Sequence, residues 1–150
     1  MILRYLTVAN NSGGQVAVNI SNPFGSTTVE ASIFTDNATS NADLSVSADT
    51  PVNNTIVGAV NGSITLGANN LVGVDPALLP LSFVSGSSTQ VHRFGEDSVA
   101  FDHVDNGTGD PQCGTGVATD QVGNPRPGGP LCDAGAYEVR PGVIIDEGFE

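Results

Sequence analysis

Short apolar residues alternate with polar ones in brief runs along the first half of the chain. Val16, Val18 and Ile20 alternate with Ala17 and Asn19, and Val29, Ala31 and Ile33 with Glu30, Ser32 and Phe34. Leu44, Val46 and Ala48 alternate with Ser45 and Ser47, and Ile64 and Leu66 with Ser63 and Thr65. A period of two over four to six residues predicts half-buried strands, because successive side chains of a strand point to opposite faces. Asn-Asn-Ser-Gly-Gly, Ser-Asn-Pro-Phe-Gly, Asp-Asn-Ala-Thr-Ser-Asn and Thr-Pro-Val-Asn-Asn separate the runs and read as turns.

Two all-β architectures fit this spacing, an antiparallel sandwich and a solenoid with about three short strands per coil. Asn10-Asn11 and Asp36-Asn37 lie 26 positions apart, and Asp36-Asn37 and Asn69-Asn70 lie 33 apart. Amides recurring at equivalent corners would hydrogen-bond along a stack, although Asn is also common in ordinary turns. The pattern leaves both architectures open.

Composition narrows the class of partner. The 150 residues include four Arg, no Lys and sixteen acids, for a net charge of −12. Nucleic acid and anionic membrane surfaces are disfavoured, since both are bound by neutralising phosphates with Lys and Arg. No apolar run approaches the roughly 18 residues of a membrane span. Met1 precedes Ile-Leu-Arg-Tyr-Leu, which is too short for a secretory signal and reads as the middle of a strand. The expectation is a C-terminal piece of a longer protein whose signal peptide lies upstream.

A family resemblance lies in five segments taken in order. They are Ala31–Asn37 with Asp43-Leu44, Asn69–Gly73 with Asp75–Leu81, Thr89–Phe94, Asp97–Asp102, and the Pro/Gly-rich stretch Asp120–Glu138. Together they resemble the bacterial "choice-of-anchor Q" domain over roughly residues 28–138. Phe94-Gly95-Glu96 departs from the family pattern, which is usually more apolar there with a proline, and Phe101 replaces a usual small aliphatic residue. The resemblance implies the last few coils of a right-handed parallel β-helix (residues 1–81), then an irregular C-terminal cap and tail (residues 82–150). Within 82–119 the one clear apolar anchor is Val99–Phe101. A solenoid end leaves an apolar cross-section that a cap must cover. Leu3, Leu6, Val8, Val16 and Val18 should then border an exposed N-terminal face, through which the chain would self-associate.

Cys113 and Cys132 are the only cysteines, an even count in a chain that looks secreted, and a disulfide pinning the cap is expected. A metal site lacks any CxxC or paired His beside them. Arg126 stands between two prolines, and its planar guanidinium suits a fork onto Asp120, Asp133 or Glu138. Asp102, Asp105 and Asp110 are spaced around glycines and faintly resemble a calcium loop, without the acid spacing of an EF-hand. His92 and His103 have no zinc spacing and read as packed or surface residues.

Parallel β-helices include polysaccharide lyases and hydrolases, which need a base and convergent carboxylates. The strand faces here carry only Glu30 and Asp43. The expected function is therefore non-catalytic, with no cofactor: a structural, adhesin-like, surface-presenting end of a secreted bacterial protein that meets extracellular glycan or cell-surface material. The alternatives are the end of a polysaccharide-degrading enzyme whose active site lies upstream, and a calcium-stabilised glycan-binding module.

Overall fold

The computed structural model describes residues 1–21, 27–38, 41–46, 50–62, 64–104, 113 and 116–142. Within them the chain is all-β, with thirteen strands and no helix. Eleven strands come first: β1 (Ile2–Arg4), β2 (Thr7–Ala9), β3 (Val16–Ile20), β4 (Thr28–Glu30), β5 (Ile33–Thr35), β6 (Ala42–Val46), β7 (Thr50–Asn53), β8 (Ile56–Val57), β9 (Val60–Asn61), β10 (Ile64–Leu66) and β11 (Leu71–Val72). Each of β1 to β8 pairs in parallel with the strand three places further on, giving three sheets ordered β1-β4-β7-β10, β2-β5-β8-β11 and β3-β6-β9. Parallel strands in stacked sheets are compatible with a parallel β-helix and exclude the antiparallel sandwich.

The corner between the first and second sheets explains how such short strands hold register. Tyr5, Ala31, Asn54 and Asn69 all take left-handed backbone angles, with φ of 52°, 50°, 48° and 55°. That turn breaks the predicted strand over 29–34 into β4 and β5. Each N–H just beyond the corner leaves the sheet ladder and needs an acceptor. Leu6 N donates to Ser32 Oγ at 3.2 Å, Ser32 N to Thr55 Oγ1 at 3.4 Å, and Thr55 N to Asn70 Oδ1 at 3.1 Å. The steps are 26, 23 and 15 residues, so the polar ladder is regular in space and irregular in sequence.

Two turn assignments are corrected by this geometry. Thr50–Asn53 is strand β7, and its register with β4 begins at Val52, past the N–H that Pro51 lacks. Asn10-Asn11 and Asp36-Asn37 do share a corner, where Asn11 Nδ2 donates to Asn37 Oδ1 at 2.9 Å. Asn69-Asn70 belong instead to the corner level with Asn54-Thr55, where Asn69 Nδ2 donates to Asn54 Oδ1.

The interior is built of apolar columns. Leu3, Val29, Val52 and Leu66 form one, Val8, Phe34, Val57 and Val72 a second, and Val18, Leu44 and Val60 a third. At the N-terminal end Leu3, Leu6, Val8, Val16 and Val18 are half-buried. At the other end Leu66 and Val72 are 53% and 47% exposed.

The described residues of the cap do not cover that end. The chain leaves the stack at Gly73, and β12 (Ser82–Phe83) pairs antiparallel with β13 (Gln90–Val91). The following residues pack on the outer flank of the second sheet. Val91, Phe94, Ala100, Val104, Cys132, Ala134, Tyr137 and Val139 form one cluster with Tyr5, Ala31, Ile33 and Ile56. Phe94 meets Tyr137 edge-to-face at 5.8 Å. The anchor is thus broader than Val99–Phe101: Ala100 is buried, whereas Val99 is 38% exposed. Gly135 N donates to Ala31 O and Ala136 N to Thr7 Oγ1, both crossing from cap to coil. At Gly135 φ is +88°, and a Cβ would stand 2.6 Å from Thr7 Oγ1, so glycine alone permits this approach.

Candidate functional site

The densest polar site is where the Pro/Gly-rich stretch folds back on the first coil. Arg126 and Glu138 are both fully buried as side chains, and Arg126 Nη1 donates to Glu138 Oε2 at 2.5 Å. The rest of the guanidinium serves backbone: Nη1 reaches Asp133 O at 3.1 Å, and Nη2 reaches Gly135 O at 2.7 Å. Its plane lies over the Tyr5 ring, 4.0 Å from the centroid, and Nε has no hydrogen-bond partner. The peptide bond from Arg126 to Pro127 is cis.

Of the three carboxylates expected as its partners, Arg126 takes Glu138. Asp120 and Asp133 do not pair with Arg126; each binds backbone amides. Asp120 Oδ1 accepts from Val122 N and Asn124 N, and Oδ2 from Asn124 Nδ2 and Glu138 N. Asp133 accepts from Asp102 N at 2.8 Å and Val139 N at 2.6 Å. Glu138 Oε1 accepts from Gly128 N, and Oε2 also from Asp133 N. A loop so rich in Pro and Gly makes few ladder bonds, and buried N–H groups without one take carboxylate partners instead.

Asp133 and Glu138 lie side by side out of water, and desolvation dominates the titration of both. Burial pushes Asp133 up to about 6, against the amides of Val139 and Asp102. Burial pushes Glu138 up to about 7; the Gly128 amide and Arg126 oppose it, and Asp133 adds to it. Cys113 and Cys132 form the disulfide, with Cα atoms 5.5 Å apart. Cys132 is buried in the cap cluster and bridged to Val104.

Among the described residues, the remaining candidate side chains each have their own local partners. Asp102 Oδ1 accepts from Leu131 N at 3.0 Å, while Asp105 and Asp110 lie outside the described residues. Glu30 pairs with Arg4 at 2.6 Å. Asp43 accepts from Asn37 N, Asn37 Nδ2 and Ala59 N. His92 Nδ1 lies 2.9 Å from Leu79 O, and His103 Nε2 lies 2.8 Å from Asn69 O. Burial lowers the His103 pKa.

Of the open clefts among the described residues, two hold Arg or acidic side chains. One lies between the first corner and the cap, lined by Arg4, Tyr5, Thr7, Thr119 and Gln121. The other gathers Asp36, Asp43 and Asp75 around Gly58 and Gly73, and burial with the neighbouring carboxylates raises Asp36. Among the described residues no three His, Cys, Asp or Glu side chains are grouped to hold a metal ion.

Sequence reasoning missed Tyr5, Thr7 and the Ser32–Thr55–Asn70 ladder. Ser, Thr and Asn are interchangeable as acceptors there, and the unequal steps hide them from a search for a fixed period. No family model, curated protein or solved structure matches the chain.

Proposed function

We propose that the chain is the closing segment of a right-handed parallel β-helix of the choice-of-anchor Q kind. Its role is non-catalytic: it is the structural, surface-presenting end of a secreted or cell-surface bacterial protein. The observation that carries this reading is how the buried polar groups are occupied. The carboxylates of Asp43, Asp120, Asp133 and Glu138 all accept backbone N–H groups, and the Arg126 guanidinium binds Glu138 and two carbonyls of the same loop. Groups so engaged brace the turns of the cap and, at Asp43, of the coil, and are not free to exchange protons with a substrate. The disulfide agrees with an oxidising compartment.

The test uses bacteria expressing the full-length protein and an antibody against residues 120–138. A protease that cannot enter cells should remove the signal from intact cells, or the protein should be found in the medium with Cys113 and Cys132 oxidised. A protease-protected cytoplasmic pool carrying two free thiols overturns the surface assignment. Depolymerisation of a polysaccharide by the purified chain, abolished by Asp36→Asn or Asp75→Asn, overturns the non-catalytic one.

A further inference from the structure

Among the described residues, the last coil ends in an open edge. Among the described residues no strand pairs with the far side of β9, β10 or β11, because the chain departs at Gly73 and its cap docks on the flank. Two interior columns end there in Leu66 and Val72, about half exposed. Proteins normally guard such an edge with charged side chains, proline or a bulge. Here β9, β10 and β11 contain no proline and no ionisable residue, and from Thr50 to Val74 the chain has no Asp, Glu, Lys, Arg or His at all. In a molecule of net charge −12, like-charge repulsion opposes association over most of the surface and is weakest at such a neutral end.

We propose that this edge is the interface of a closed two-fold dimer, in which the β9-β10-β11 edge of one copy adds to the same edge of a second. The two-fold makes the strands antiparallel across the joint and covers Leu66 and Val72 with the partner's own uncharged coil. It continues the inter-coil contact already made within the chain, where β10 stacks on β7 and β11 on β8. Head-to-tail stacking onto the N-terminal coil fits less well. Along the corner ladder each coil's N–H is received by a Ser, Thr or Asn side chain of the next coil. A following copy would offer Leu6 at that position to Asn70, and leucine has no acceptor. A two-fold contact also closes on itself at this edge, whereas head-to-tail contacts build filaments.

The proposal rests on the stacked sheets alone and not on the surface role. Sedimentation velocity of the whole oxidised chain at tens of micromolar should show one species of twice 15.2 kDa. Leu66→Lys with Val72→Lys should weaken the dimer by more than about tenfold, through the charge placed at the joint. The melting temperature of the separated monomer should stay close to wild type, since both side chains are already half in water. Leu3→Lys with Val18→Lys, at the opposite end, should leave the dimer intact. Hydrogen exchange should show β9–β11 amides gaining protection as concentration rises. A wild-type monomer under these conditions overturns the proposal and leaves the edge to a different chain. So does an open-ended series of polymers, or a dimer that survives the Leu66/Val72 pair and is lost with the Leu3/Val18 pair.

Discussion

The guanidinium of Arg126 stacks on the ring of Tyr5 at 4.0 Å, across 121 positions of sequence, while its Nη1 holds Glu138. One side chain therefore joins the first coil to the far end of the cap. Such a residue decides whether the cap is seated at all.

Arg126→Met keeps the length of the side chain and leaves Glu138 buried without its cation. Removing one partner of a buried ion pair costs about 3–5 kcal/mol. Glu138 titrates near 7, so it can escape this penalty by taking up a proton as the pH falls. Thermal unfolding should show the variant most destabilised above pH 7 and partly recovered near pH 5. An equal loss at both pH values would separate Arg126 from the charge of Glu138.

In the wild-type protein the pH dependence has the sign of raised carboxylates. Glu138 and Asp133 are pushed to about 7 and about 6 in the fold, against ordinary values of 4.5 and 3.8. The folded state then holds more protons than the unfolded chain between those limits, so their contribution is complete below about pH 4 and is lost as the pH rises through 6 and 7. Glu138→Gln should flatten the upper part of this slope in melts at pH 5, 6, 7 and 8. A slope unchanged by the substitution would assign it to other groups.

The Cys113–Cys132 bridge closes a loop of 19 positions in a part of the molecule whose described residues form isolated bridges and no strand. In the chain-entropy account it contributes about 3 kcal/mol. Replacing both cysteines by alanine should expose residues 113–138 to limited proteolysis and lower the melting temperature, while amide exchange in β4–β8 stays slow. A digestion pattern identical to the oxidised protein would mean that Arg126 and the apolar cluster suffice to seat the cap.

Thr55→Val tests the corner ladder with almost no change of volume. It removes the acceptor of the buried Ser32 N–H and the donor to Asn53 O. An unsatisfied buried group of this kind costs about 1–3 kcal/mol, seen as a shift of the denaturation midpoint with an unchanged slope. A neutral outcome would show that the apolar columns hold register without the polar corners.

Strands β3 and β6 were legible in the sequence because one side of each is wetter than the other along part of its length, so that a period of two survives in Val16–Ile20 and Leu44–Val46. Other features announced themselves through chemistry that depends on few neighbours. The shared corner of Asn11 and Asn37, the disulfide, and the pairing of Arg126 with a cap carboxylate all belong to this kind.

Tertiary structure decided the rest. Ile33, Phe34 and Thr35 are all buried, since Phe34 fills the interior and Ile33 lies under the cap, and a strand covered on both faces has no alternation to read. The corner at Ala31 is a left-handed turn at an alanine, which local preference argues against and the ladder imposes. The seat of the cap on the flank depends on Gly135 meeting Ala31 and Thr7, residues more than a hundred positions away. Which carboxylate met Arg126 was likewise settled by packing. Asp120, Asp133 and Glu138 are chemically equivalent candidates in the chain, and the fold turned two of them toward backbone amides that had no other acceptor.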